Sequence, residues 1–276
     1  MKSGRYIVLL LLAAVYFSSV NGCQDSQCYR PQILPYHHWK LDGCPEDETI
    51  CGGSCSQEEL PETDVSPTGI KSRSLPTVDG PNGNCAVYLD RAHSDSIDFG
   101  EFANTCLTRL ELCKRGLTVS VWLKIDTSLN GRTYYVSSGG QTTVSRGISI
   151  LGSRNVESYG DTFVLTVHLR DLNHIWEADT SALPSNGRWA HIAFTWSEYH
   201  GLRVFIDGQL QAQHKFGTPL TTNLYQYTRL MIGRPNSVSN YFGSSGFSDL
   251  KIYYQRLEDH EIAEAFTNER FPKKLA

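Results

Sequence analysis

The sequence predicts an all-β fold: a two-sheet antiparallel jelly-roll sandwich with a short C-terminal helix. Three observations carry that prediction. The first is the stretch Arg188 to Leu210, RWAHIAFTWSEYHGLRVFIDGQL, in which Ala190, Ile192, Phe194 and Trp196 alternate with Trp189, His191, Ala193 and Thr195. Alternation puts one set on each face of a strand, and here one face is wholly apolar. In the same stretch Asp207-Gly208 supplies the positive φ angles of a tight hairpin turn between two strand-like runs. The second observation is the regular recurrence of short apolar runs from Cys85 onwards, separated by Gly, Asn and Asp turns and without an internal repeat. The third is that one run, Glu258 to Glu269, reads as helical. Its Ile262 and Phe266 lie four apart on one face, and Glu258, Asp259 and Glu261 place negative charge where a helix start favours it.

Taken from the beginning, Lys2 and Arg5 precede the apolar run Ile7 to Phe17, and residues 1–22 read as a secretory signal peptide. That run is shorter than the roughly 20 apolar residues of a membrane helix, and no later run approaches such a length, so a secreted chain without a membrane anchor is expected. Residues 23–35 form a short cysteine-bearing extension. Ile33 to Leu41 reads as a strand that Asp42-Gly43 closes. Residues 44–84 hold Pro45, Pro61, Pro67, Pro76 and Pro81, many acids and serines, and almost no large apolar side chains. Such a segment cannot bury enough area to order itself and reads as a surface excursion pinned by cysteines. Strands then follow at Ala86–Leu89, Ser96–Phe99, Leu117–Lys124, Thr133–Ser137, Gly147–Leu151, Thr162–Leu169, Ile175–Ala178, the stretch already described, Tyr227–Gly233 and Phe247–Tyr254. Residues 271–276 are a tail without the hydrophobic run of a lipid-anchor signal.

All eight cysteines lie between Cys23 and Cys113, which in an oxidising compartment reads as a set of disulfides. Cys106 and Cys113 bracket the short loop CLTRLELC and are expected to pair. The pairing of Cys23, Cys28, Cys44, Cys51, Cys55 and Cys85 stays open. Cys51-Gly-Gly-Ser-Cys55 would furnish half of a zinc site, and secretion favours bridges over metal. The formal net charge is −4, and it becomes more negative once Lys2 and Arg5 are removed, which argues against nucleic acid as a partner.

The order of these segments resembles the laminin G-like, pentraxin-like branch of the concanavalin A-like lectin/glucanase superfamily. The pieces that carry the resemblance are WKLDG at Trp39–Gly43, AVYLDRAHSDSIDFG at Ala86–Gly100, GLTVSVWLK at Gly116–Lys124, and RWAHIAFTW followed by LRVFIDGQL. An ending similar to FSDLKIYYQRL, leading into a helix similar to EDHEIAEAF, completes it. The resemblance covers about Tyr36 to Arg270 and implies one laminin G-like sandwich over residues 36–270. It places Trp122 on an inner strand and Trp189 and Trp196 beside the hairpin, whose tryptophans are expected to fill the core.

A hydrolase of that superfamily is expected to carry acids alternating along one strand in an E-x-D-x-E pattern. No such run is seen. Glu46-Asp47-Glu48 and Glu58-Glu59 fall in the excursion, and the G-x-S-x-G elbow is absent, so no catalytic residue is assigned and an enzyme is not expected. Some relatives bind calcium through rim aspartates. Asp90, Asp95 and Asp98 have the right chemistry, yet turn acids commonly bond to their own loop, so no metal ligand and no cofactor is assigned. His37 and His38 are adjacent on a strand and point to opposite faces. The basic clusters Lys71/Arg73 and Lys273/Lys274 lie in loop and tail. Tyr134, Tyr135, Tyr225, Tyr227 and Tyr241 suit sugar stacking if they gather on one rim, while ligand-binding residues stay unknown. The expected function is a secreted, non-catalytic module recognising extracellular glycans or matrix proteins. A structural constituent of an extracellular matrix, mineralised or not, is the alternative, and a glycan hydrolase comes third.

Overall fold

The computed structural model describes residues 34–41, 75–126, 131–139, 145–154, 163–180, 187–220 and 226–270. The expected leader, most of the excursion, Cys23, Cys28, Cys44, Cys51 and Cys55, both basic clusters, Tyr225 and the tail lie outside these residues.

In chain order the strands are β1 (His37–Trp39), β2 (Thr77–Asp79), β3 (Cys85–Leu89), β4 (Ile97–Glu101), β5 (Leu117–Ile125), β6 (Gly131–Ser137), β7 (Gly147–Arg154) and β8 (Phe163–Arg170). They continue with β9 (His174–Thr180), β10 (Trp189–Ser197), β11 (Gly201–Ile206), β12 (Gln209–His214), β13 (Thr218–Pro219), β14 (Arg229–Ile232) and β15 (Ser245–Tyr253), and the chain ends in helix α1 (Asp259–Arg270). Among the described residues these strands make two antiparallel sheets. Sheet A runs β12-β11-β10-β5-β15-β3-β2, with β1 also pairing β15, and sheet B runs β13-β9-β8-β7-β6-β14-β4. This is the jelly-roll sandwich that the alternation predicted.

The hairpin at Asp207-Gly208 joins β11 to β12, with φ of 50° and 75° at the two turn residues. Those left-handed values are what a type I′ turn requires. One expectation is corrected. Thr77–Asp79, inside the segment read as excursion, is an edge strand paired with β3, and the Trp189 indole donates to the Asp79 carbonyl at 2.8 Å. Three residues between Pro76 and Pro81 are too short to show a period, so long-range pairing decides their conformation.

Leu117, Val119, Val121, Leu123 and Ile125 of β5 and Ala190, Ile192, Phe194 and Trp196 of β10 enter the core from sheet A. Leu165, Val167 and Leu169 of β8 meet them from sheet B, and Trp176 abuts Trp196 edge-on at 5.2 Å. Of the hairpin's tryptophans Trp196 fills the core, whereas Trp189 is only partly buried and bonds the Asp79 carbonyl instead. Trp122 is on an inner strand, as the resemblance implies. β5 is central, but Trp122 lies on the set that alternates with the core residues and stacks at 5.8 Å from Phe266 of α1, outside the sandwich. Even numbering along β5 turns it away, as strand geometry dictates.

Cys106 and Cys113 form the expected disulfide, with Cα atoms 4.9 Å apart, and Cys85 is also disulfide-bonded. The helix start is built locally. Glu261 reaches back to accept from the Glu258 backbone N–H at 2.7 Å, the reciprocal half of a capping box. Arg203 of β11 holds Asp259 by two hydrogen bonds of 2.5 and 2.7 Å. At the far end Glu269 accepts from Lys251 and from the Trp122 indole, both at 2.8 Å. Gly208 sits close under the helix, and a Cβ there would lie 3.2 Å from the Ala263 Cα.

Candidate functional site: the outer face of sheet B

Along β8 the side chains of Thr166, His168 and Arg170 alternate with core residues and so face away from sheet A. On β9, Glu177 and Asp179 do the same between Trp176 and Ala178. Register then sets who meets whom. Thr166 lies opposite Asp179 and Leu151, and His168 lies opposite Glu177 and Ser149. The row through Leu151 continues to Tyr134, and the row through Ser149 continues to Ser137 and Met231. Cross-strand neighbours on one face of a sheet lie close enough to interact.

The two acids are exposed, and each is held by a buried partner. Thr166 donates its hydroxyl to Asp179 at 2.6 Å, and His168 Nε2 lies 3.1 Å from a Glu177 oxygen. The close His168 imidazole, aided by the nearby charge of Arg132, holds the Glu177 carboxyl below its ordinary value against the opposing effect of burial. Arg132 also reaches the Tyr134 hydroxyl, although burial dominates and pushes that phenol up. The backbone N–H of Glu177 points out of the sheet edge, where His214 Nδ1 of β12 accepts it at 3.0 Å. Glu177 is thereby fixed through both its side chain and its main chain.

The tyrosines named from sequence separate. Tyr134 is buried on this face, and its ring centroid lies 6.3 Å from that of Tyr241, which is half exposed and has a φ of 58°. The Tyr134 N–H donates to the Tyr241 carbonyl, so the pair is tied by the main chain as well. Tyr135, one residue on, faces the core beside Phe247. Tyr227 is half buried in the approach to β14.

The aspartates considered for calcium are each engaged locally. Asp90 accepts from the Ala92 N–H and His93, Asp95 accepts from the Asp90 N–H, and Asp98 accepts from the Gly100 N–H and Arg229. His37 and His38 do face opposite ways. His37 stacks on Trp39 at 5.3 Å, and His38 bonds Asp249 at 2.7 Å.

The E-x-D-x-E pattern is absent, as read from the sequence, although Glu177 and Asp179 alternate on β9. The signal was present in the letters E-A-D, but position 181, where a third acid would stand, is Ser181. A two-acid run inside an apolar strand is easily passed over.

Two stacked antiparallel sheets, a covering C-terminal helix and a polar outer face define a sandwich of the lectin type. The laminin G model of the concanavalin A-like lectin/glucanases superfamily matches residues 99–263, and the chain belongs to this family. The human adhesion G-protein coupled receptor D1 is 26% identical over 186 residues, which is 67% of this chain and 20% of the receptor. The chain therefore corresponds to a fraction of that relative's length. The binding domain of Paraclostridial Mosquitocidal Protein 1 superposes with a TM-score of 0.50 at 16% identity, covering 71% of this chain and 46% of that one. The botulinum neurotoxin serotype C1 binding domain gives 0.51 at 13% identity, covering 71% and 46%. Those two structures speak to the fold. Among the described residues no helix is long and apolar enough to cross a membrane.

Proposed function

We propose that the domain is a non-catalytic extracellular binding module that recognises glycans or matrix proteins through the outer face of sheet B. The observation that carries this reading is the pre-oriented pair Glu177 and Asp179, each fixed by a buried β8 side chain while remaining exposed. Fixed acceptors spare a ligand the entropy of ordering them, which is how a shallow face gains affinity. Two carboxylates suit hydroxyl or amide donors, and the half-exposed Tyr241 ring offers an apolar surface for stacking. Laminin G family membership supports a binding role, and the fold alone does not choose the ligand.

A non-catalytic reading is supported by Ser181 standing where a third strand acid would complete the hydrolase pattern. No cofactor is required by this arrangement. The experiment is a screen of the purified protein against glycan arrays and extracellular matrix proteins, with calcium and with chelator. Glu177→Gln and Tyr241→Ala should each weaken the best ligand about tenfold, the size expected for one hydrogen bond to a charged group. Ligand binding that both substitutions leave untouched would move the site elsewhere. An absence of binding in every arm, with the protein retained in the insoluble matrix, would favour a structural constituent.

A further inference from the structure

A second titratable cluster lies on the opposite side of the sandwich, beneath α1. His191 of β10 is fully buried on the outer face of sheet A, 5.2 Å from the Trp122 ring and 5.9 Å from the Phe266 ring of the helix. Neither ring nitrogen has a hydrogen-bond partner among the described residues, and the nearest carboxylate oxygen is that of Glu269 at 3.5 Å. A buried imidazole without a partner is costly, and it becomes more so when charged.

The charged groups around it are already committed. From α1, Glu269 faces His191 but is taken by Lys251 and the Trp122 indole. From β15 come Lys251 itself and Asp249, whose carboxylate is held by His38 of β1 at 2.7 Å and lies 3.8 Å from Lys251. From the β11–β12 turn, Asp207 accepts the backbone N–H of His191 at 2.9 Å. A proton on His191 would therefore place a second cation next to Lys251, facing a carboxylate that Lys251 and the Trp122 indole already share. Burial, the largest influence, and Lys251 together hold the imidazole below its ordinary 6.5, while Glu269, Asp207 and Asp249 oppose them.

We propose that α1 is an acid-released cover over the outer face of sheet A, with His191 as the group whose protonation loosens it. The direction follows from linkage. A histidine kept neutral when the helix is closed, and free to take a proton when it is open, stabilises closure above the open-state value of 6.5. That stabilisation is lost as the pH falls below it. Opening uncovers Trp122 and His191 together, since both pack on Phe266.

The test is amide hydrogen exchange of Ile262 to Thr267 in the intact protein at pH 7.5, 6.0 and 5.0, corrected for the intrinsic rate. The opening equilibrium of the unsubstituted protein should rise by up to about thirtyfold between pH 7.5 and 5.0. In His191→Phe, which keeps an aromatic ring, the rise should fall to less than about twofold on the same grounds. Should that variant fail to fold, His191→Gln serves the same purpose. Glu269→Gln should open more at every pH and retain the rise. An undiminished rise in the His191 variants, its loss in Glu269→Gln, or a flat profile in the unsubstituted protein would each overturn the proposal.

Discussion

On sheet A the residues that face away from the core include Trp122 and His191, and a helix covers them. On sheet B the corresponding positions hold Thr166 and His168, and these in turn hold the exposed acids Glu177 and Asp179. Both sheets follow the same alternation, so backbone geometry does not distinguish them. The difference lies in what each outer side chain contacts. Aromatic rings on sheet A supply area for α1 to bury, whereas short hydroxyl and imidazole groups on sheet B hold carboxylates in place at the surface. One face has become a second, smaller core, and the other carries fixed polar groups at solvent.

The contrast breaks most visibly if the covered face is emptied. Trp122→Ala removes a ring that is 2% exposed together with the indole bond to Glu269, and should cost about 3–5 kcal/mol in denaturant unfolding. A loss below about 1 kcal/mol would mean that α1 rests on sheet A without structural consequence. Next in size, Lys251→Met leaves the Glu269 carboxylate without its cation in a setting where both side chains are nearly nine-tenths buried. Unfolding should then be easier by about 3 kcal/mol. Equal stability would show that water reaches that pair. Smallest in stability, and sharpest as a contrast, is Glu177→Gln. With its side chain 51% exposed, the change should stay within about 0.5 kcal/mol of the parent, while affecting ligand capture as described above. Because the Glu177 carboxyl is held low, any binding that uses its charge should persist through mildly acidic solution and fade only below pH 4.5, as a titration of affinity would show.

Much of the fold was legible because burial enforces a period. The Ala190 to Trp196 set, the Asp207-Gly208 turn and the Ile262/Phe266 face each reflect a constraint carried within a few residues of sequence. Thr77–Asp79 was not legible, since three residues show no period and their pairing with β3 is decided elsewhere in the chain. The destiny of Trp122 was only half visible. Its strand could be read, but which side of the sheet a helix over a hundred residues later would cover could not. The same holds for the site. Glu177 and Asp179 acquire meaning from Thr166 and His168 on the neighbouring strand, and their coincidence is a matter of register rather than of local sequence.

The pairing of His37 with Ile252, and of β5 with both β10 and β15, has a kinetic consequence. The central strand of sheet A finds its second neighbour more than a hundred residues downstream, and β1 waits longer still. Loop closure over such distances must precede the reward of contact, so assembly should be slow compared with a helical domain of this size. During synthesis, β5 and β10 emerge with an apolar edge open until β15 follows. That interval is when chaperone capture, or misassembly with another nascent chain, has its opportunity.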